Sequence, residues 1–154
     1  MPNHFHFMIH TDEKCLVLEK QGGNMLNPIS NAVRILLSGY ARIYNSRYSR
    51  SGSIFRQKTK AKCLTEISLD KSGAKENLVY AATCFHYIHQ NPLVAGLCKS
   101  MEDWPYSSFK DYFSLNQASL CNMDLAAKYC GFHPSSFVET SLKRYYLKME
   151  RGSE

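Results

Sequence analysis

At 154 residues the chain is the size of one domain that can bury a core. With 44% hydrophobic and 21% charged residues it falls in the soluble globular class, and no apolar run approaches the roughly 18 residues a membrane span needs. The net charge of +6 is unevenly spread: eight of the nineteen Lys/Arg lie between Gln21 and Thr65, a stretch without Asp or Glu, which leaves eleven basic against all thirteen acidic residues elsewhere. Such a concentration is the footprint of a polyanionic partner, nucleic acid being the commonest.

The chain opens MPNHFHFMIH. If this stretch is an extended strand, Phe5, Phe7 and Ile9 share one face and His4, His6 and His10 the other. Imidazoles at i and i+2 stand roughly 6–7 Å apart at the backbone, close enough to grip one metal ion. The alternative is a sheet edge with two exposed histidines. The start lacks the basic-then-apolar pattern of a signal peptide, so a cytoplasmic protein is expected. The six cysteines (15, 63, 84, 98, 121 and 130) form no C-x-x-C pair and read as reduced thiols, mostly small buried residues.

TDEKCLVLEKQGGN reads as a polar turn, a short apolar stretch and a glycine loop. Asn27 then caps a helix whose first residue is Pro28, with Ile29, Val33, Leu36, Tyr40 and Ile43 as an apolar stripe. NSRYSRSG (45–52) is a polar loop interleaving arginine and tyrosine. In SIFRQKTKAK the alternation predicts a strand with Arg56, Lys58, Lys60 and Lys62 on one face and Phe55, Gln57, Thr59 and Ala61 on the other. Four cations in a row track a phosphate backbone, or form a solvated outer face.

LVYAATCFHYIHQN reads as a helix that Pro92 should end. Leu78, Ala81, Ala82, Phe85 and Ile88 cluster on one side with His89 beside them. Tyr80, Cys84, Tyr87 and Asn91 occupy the opposite side, and His86 and Gln90 lie to one flank. DWPYSSFKDY is expected to close the core as an aromatic-rich turn. Two more helices follow, about 122–130 and 135–149. Gly131 suits the end of the first, and Ser136 with Glu139 makes a capping box for the second. A glycine turn between two helices fits both a helix-turn-helix and an ordinary helical hairpin.

Three stretches together, MPNHFHFMI, GSIFRQKTKAK, and YIHQNPLVAGL followed by DWPYSS, resemble the REP-associated tyrosine transposases, small single-tyrosine insertion-sequence transposases of the HUH nuclease superfamily. The resemblance spans about 1–112, as a transposase domain lacking its N-terminal strand–helix–strand portion, with 113–154 as a C-terminal helical extension. It implies an α+β fold: a ferredoxin-like (RNA-recognition-like) antiparallel sheet with helices on one face, incomplete at its start, plus the C-terminal helices. It implies that His4 and His6 are metal ligands, that Tyr87 is the nucleophile, and that Asn91 is the third, amide ligand, with Gln90 as fallback. The metal expected is Mg²⁺ or Mn²⁺, since no thiolate completes a zinc set.

The activity implied is cleavage and rejoining of single-stranded DNA with hairpin or repeat ends, through a 5′-phosphotyrosine, by a monomer or homodimer. Arg47, Arg50, Arg56, Lys58, Lys60 and Lys62 would hold the strand. Two other readings stand beside it: a catalytically inactive DNA-binding remnant, and a metal-dependent hydrolase unrelated to DNA that rests on the histidine pair alone.

Overall fold

A computed structural model describes residues 4–55, 60–64, 73–114 and 120–151. The fold is mixed α+β, mostly helical, and its sheet among the described residues is one two-stranded antiparallel hairpin. No helix among the described residues is long and apolar enough to cross a membrane. The chain divides into two compact units. One comprises Ile9–Lys62; the other joins Met1–Met8 to Cys63–Glu154.

The Ile9–Lys62 unit begins with a short 3₁₀ turn, Glu13–Leu16, capped by the Asp12 carboxylate, which accepts from Cys15 N at 3.2 Å. β1 (Glu19–Gln21) and β2 (Asn24–Leu26) then pair with Glu19 opposite Leu26. Gly22 and Gly23, both at positive φ (56° and 89°), make the two-residue turn whose twist matches the flanking strands. This hairpin sits where the sequence reads as a turn and glycine loop, because strands of three mostly polar residues carry no usable alternation. α1 (Pro28–Arg47) starts as its cap residues dictate: Asn27 Oδ1 accepts from Ser30 N at 2.8 Å and Pro28 fills the first helical position. No residue of α1 is fully buried, and Leu36, Tyr40 and Ile43 of its apolar stripe are exposed.

In the other unit α2 (Gly73–Val94) packs against α4 (Met123–Cys130), α5 (Phe137–Arg151) and the 3₁₀ turn Met101–Asp103. α3 (Phe109–Ser114) packs on α5 and on the same turn. The helices beyond 113, read as an extension, thus belong to the unit that contains α2. α4 is capped by Asn122 and ends at Gly131 in the left-handed region. α5 follows Ser136, whose carbonyl accepts the first helical bond, from Thr140 N, at 2.8 Å.

The core centres on Phe85. Its ring lies 4.8 Å from His89, 4.9 Å from Tyr112 and 5.7 Å from Phe137 between centroids, with Ala81, Met101, Phe109, Ala126, Cys130 and Phe132 completing the buried set. Phe85→Ala is therefore expected to cost about 3–5 kcal/mol, enough to abolish the cooperative transition of this unit in urea. A loss below about 1 kcal/mol would mean that this core does not hold the unit together.

Several sequence expectations are corrected. Residues 4–10 carry no strand ladder, and Phe5, Phe7 and Ile9 are exposed, so their alternation builds no sheet face among the described residues. Of the stretch expected as a basic strand, 56–59 lie outside the described residues and 53–55 with 60–62 are not in a ladder. α2 runs through Pro92 to Val94. The missing proline N–H removes one bond but leaves those that follow, Ala95 N to Asn91 O and Leu97 N to Pro92 O, both 3.0 Å. Gly96 (φ 67°), whose N–H reaches Leu93 O at 3.0 Å, stops the helix in a Schellman arrangement. In DWPYSSFKDY it is Phe109 and Tyr112 that enter the core, while Tyr106 stands in solvent and Trp104 is half-buried. Of the cysteines, all free thiols, Cys130 alone is fully buried.

Candidate functional site

The amino-terminal histidines and the tyrosine of α2 meet within one compact unit. The His6 and Tyr87 ring centroids are 5.6 Å apart at an interplanar angle of 73°, and His4 stands 5.0 Å from His6, edge to face. Phe5 and Phe7 pair at 4.9 Å, so the side chains of 4–7 alternate as an extended segment requires, although it is not in a ladder. Tyr87 projects from the outer side of α2, part-exposed, as its wheel position opposite Phe85 demands.

Asn91 follows Tyr87 by one helical turn on the same face, where side chains four apart are neighbours. It is 6% exposed, and its buried Nδ2 has no hydrogen-bond partner. An unsatisfied buried amide normally costs about 1–3 kcal/mol, and which atom of the amide is oxygen is an assignment from surroundings. Only with the amide turned so that its oxygen takes the place of Nδ2 could Asn91 serve as a ligand there.

His4 and His6 are the residues here that could hold a divalent ion. Desolvation, and then the neighbouring His4, lower the pKa of His6 below the ordinary histidine value. That favours the neutral imidazole a metal requires. Rings 5.0 Å apart are close enough for both to reach an ion that sits about 2 Å from each nitrogen. Among the described residues no group of three or more His, Cys, Asp and Glu side chains comes together; the amide of Asn91 is a donor of another type.

Three other polar side chains of α2, those of His86, His89 and Gln90, face inward. His89 is 2% exposed, its Nε2 2.9 Å from Ser108 Oγ. Its Nδ1 makes no well-formed hydrogen bond, although the Phe85 carbonyl one turn back partly favours a proton there. Gln90, the fallback ligand, is buried and donates to the Ser141 carbonyl at 2.8 Å, which commits it to α5. His86, placed on a flank by the wheel, is buried too, with Nδ1 2.7 Å from Ser141 Oγ. Ser108 and Ser141, which hold these imidazoles, carry no sequence signal of that role, since their partners are far away in the chain.

Of the proposed DNA contacts, Arg47, Arg50, Lys60 and Lys62 belong to the Ile9–Lys62 unit and are exposed, while Arg56 and Lys58 lie outside the described residues. Arg50 lies 5.8 Å over the Tyr44 ring. Comparison with protein families, with characterised proteins and with solved structures returns no match.

Proposed function

We propose that the protein is a transposase of the HUH single-tyrosine type, cutting and rejoining single-stranded DNA with Tyr87 as nucleophile. The observation that carries this reading is the approach of Tyr87 to His6, residues from two of the stretches that carry the resemblance, with the unpartnered amide nitrogen of Asn91 one turn beyond. A ferredoxin-like sheet, the organisation of the family resembled, belongs to the same proposal.

In the cleavage step Tyr87 Oη, having lost its proton to solvent, attacks phosphorus. A tyrosyl–phosphate bond forms as the bond to the 3′-oxygen breaks, and that oxygen takes up a proton to leave as a hydroxyl. Attack by another 3′-hydroxyl on the phosphotyrosine reverses the sequence and restores the phenol. The phosphodiester energy is retained, so joining needs no nucleotide hydrolysis. A Mg²⁺ or Mn²⁺ ion held by His4, His6 and Asn91 would neutralise charge at the scissile phosphate. The His6 ring holds Tyr87 in place from one side, and the stem of α2 fixes its direction.

The test is to incubate a hairpin oligonucleotide, labelled on its 3′ side, with protein and Mn²⁺ and to look for a denaturant-stable adduct. The label is expected on the peptide containing Tyr87, and chelation is expected to prevent the adduct while salt-dependent DNA binding persists. Binding without any adduct, indifferent to metal and to His4→Ala, would favour the DNA-binding remnant instead. The eight cations of the acid-free stretch Gln21–Thr65 fit that second reading as well.

A further inference from the structure

α1 bears a feature that the catalytic reading does not require. Tyr40 and Tyr44 on α1 and Tyr48 at its C-cap recur at i, i+4 and i+8, and their rings form a continuous series. Tyr40 and Tyr44 are stacked at 6.1 Å with 21° between planes, and Tyr44 and Tyr48 lie 4.5 Å apart. Phe55 extends the series, 5.7 Å from Tyr40. Tyr40 and Tyr48 are more than half exposed. The same face continues toward the helix start as a groove of about 670 Å³, floored by Ile29, Val33, Leu37 and Ala41 and walled by Ile54 and Phe55. Arg34 lines this groove, Arg50 covers Tyr44, and Arg47 ends the helix.

An apolar groove lined only with aliphatics would suit another protein surface. Here exposed aromatic faces are edged by guanidinium groups within a stretch, Gln21 to Thr65, that contains eight cations and no carboxylate. A partner that seats on this face must offer flat unsaturated rings and repeated negative charge together. A single nucleic-acid strand does so, because its unpaired bases stack and its phosphates are spaced along them. A duplex hides its base faces, and a second copy of this basic chain would bring cation against cation.

We infer that the Tyr40–Tyr44–Tyr48 face of α1, with Phe55 and the adjoining groove, is a stacking platform for unpaired bases of single-stranded nucleic acid. Arg34, Arg47 and Arg50 serve the phosphates. The choice of DNA as the strand rests on the function proposed above; the platform itself does not.

Binding of a fluorescent, unstructured twelve-nucleotide strand to the full-length protein, in chelator so that no cleavage occurs, tests the platform. Tyr44→Ala and, separately, Tyr48→Ala are each expected to weaken binding by between about five- and a hundredfold. Tyr44→Phe keeps the ring and should bind as the parent does. Arg50→Gln is expected to lower the slope of log affinity against log salt by about 0.7. A blunt duplex of equal length should bind much more weakly than the strand. Equal affinity for the duplex, or unchanged strand affinity in both alanine variants, overturns the platform, as does a parent dimer that Tyr48→Ala dissolves. The two proposals fail separately. Adduct formation with unchanged binding in the alanine variants removes the platform alone, and tyrosine-dependent binding without any adduct removes the transposase alone.

Discussion

Tyr87→Phe is expected to eliminate the covalent protein–DNA adduct altogether, while leaving the fold and the affinity for single-stranded DNA as they were. The substitution removes one oxygen atom and keeps the ring that meets His6 at 5.6 Å. Tyr87 is 38% exposed and faces away from the Phe85 core, so the change should move stability by no more than about 0.5 kcal/mol. An effect on chemistry alone is what a nucleophile predicts, because without the phenolic oxygen no phosphotyrosine bond can form. The discriminating control is Tyr80, which lies on the same side of α2 two turns earlier and is also part-exposed. Tyr80→Phe should form the adduct at the parent rate. If the adduct survives in Tyr87→Phe and vanishes in Tyr80→Phe, the nucleophile has been misassigned; if it survives in both, neither tyrosine carries it. His6→Ala should behave as Tyr87→Phe does in the adduct assay, because it removes both the ring packed on the tyrosine and a proposed metal donor.

What the sequence made legible was local. The start of α1 at Asn27-Pro28 and the limits of α4 between Asn122 and Gly131 are written in residues that act on their own backbone, and the structure has them there. The inward position of His89 and the outward position of Tyr87 follow from helical geometry once the apolar side of α2 is known. Contacts that depend on distant partners were not legible. His86 and Gln90 are buried only because Ser141 and the rest of α5 cover them, and nothing in α2 announces that. The apolar stripe of α1 shows the converse: periodicity reports which residues share a face but not whether anything covers it, and here Leu36, Tyr40 and Ile43 stay in solvent. The alternation of 4–7 was likewise real at the level of side-chain direction, since the rings of His4 and His6 pair, as do those of Phe5 and Phe7. A ladder needs a second strand in register, which alternation alone does not supply. In the candidate site the residue types and their order were readable. The approach of His6 to Tyr87 was not, because their meeting depends on how the amino-terminal segment lies along α2.

The two buried imidazoles predict a second large effect, the loss of the helical unit in mild acid. Burial pushes His86 down to about 4, assisted by the positive charge of Arg144 on α5, whose Nη1 donates to Thr83 Oγ1. Burial likewise pushes His89 down to about 3, assisted by a charge on His86 and opposed by the Phe85 carbonyl. Both folded-state values lie below the ordinary 6.5, so on acidification the unfolded chain takes up these protons first. Stability therefore rises with pH through the window between the folded and unfolded values. It is fully present above about 6.5 and falls as pH drops toward 4, by up to about 1.4 kcal/mol per pH unit for each histidine. Because part of the His89 shift arises from His86, the two contributions do not add in full. Even so, several kcal/mol across two pH units is comparable with the total stability of a domain this size. Urea unfolding followed by near-ultraviolet circular dichroism at pH 7, 6, 5 and 4 should show the midpoint falling steeply below pH 6. His86→Asn, which retains a polar atom near Ser141 Oγ, and His89→Gln, which retains one near Ser108 Oγ, should each flatten that dependence. A midpoint that stays constant from pH 7 to 4 in the parent would mean that these imidazoles are not held neutral inside the fold, and that the α2–α5 packing around Ser141 is wetter than the hydrogen bonds of His86 and Gln90 imply.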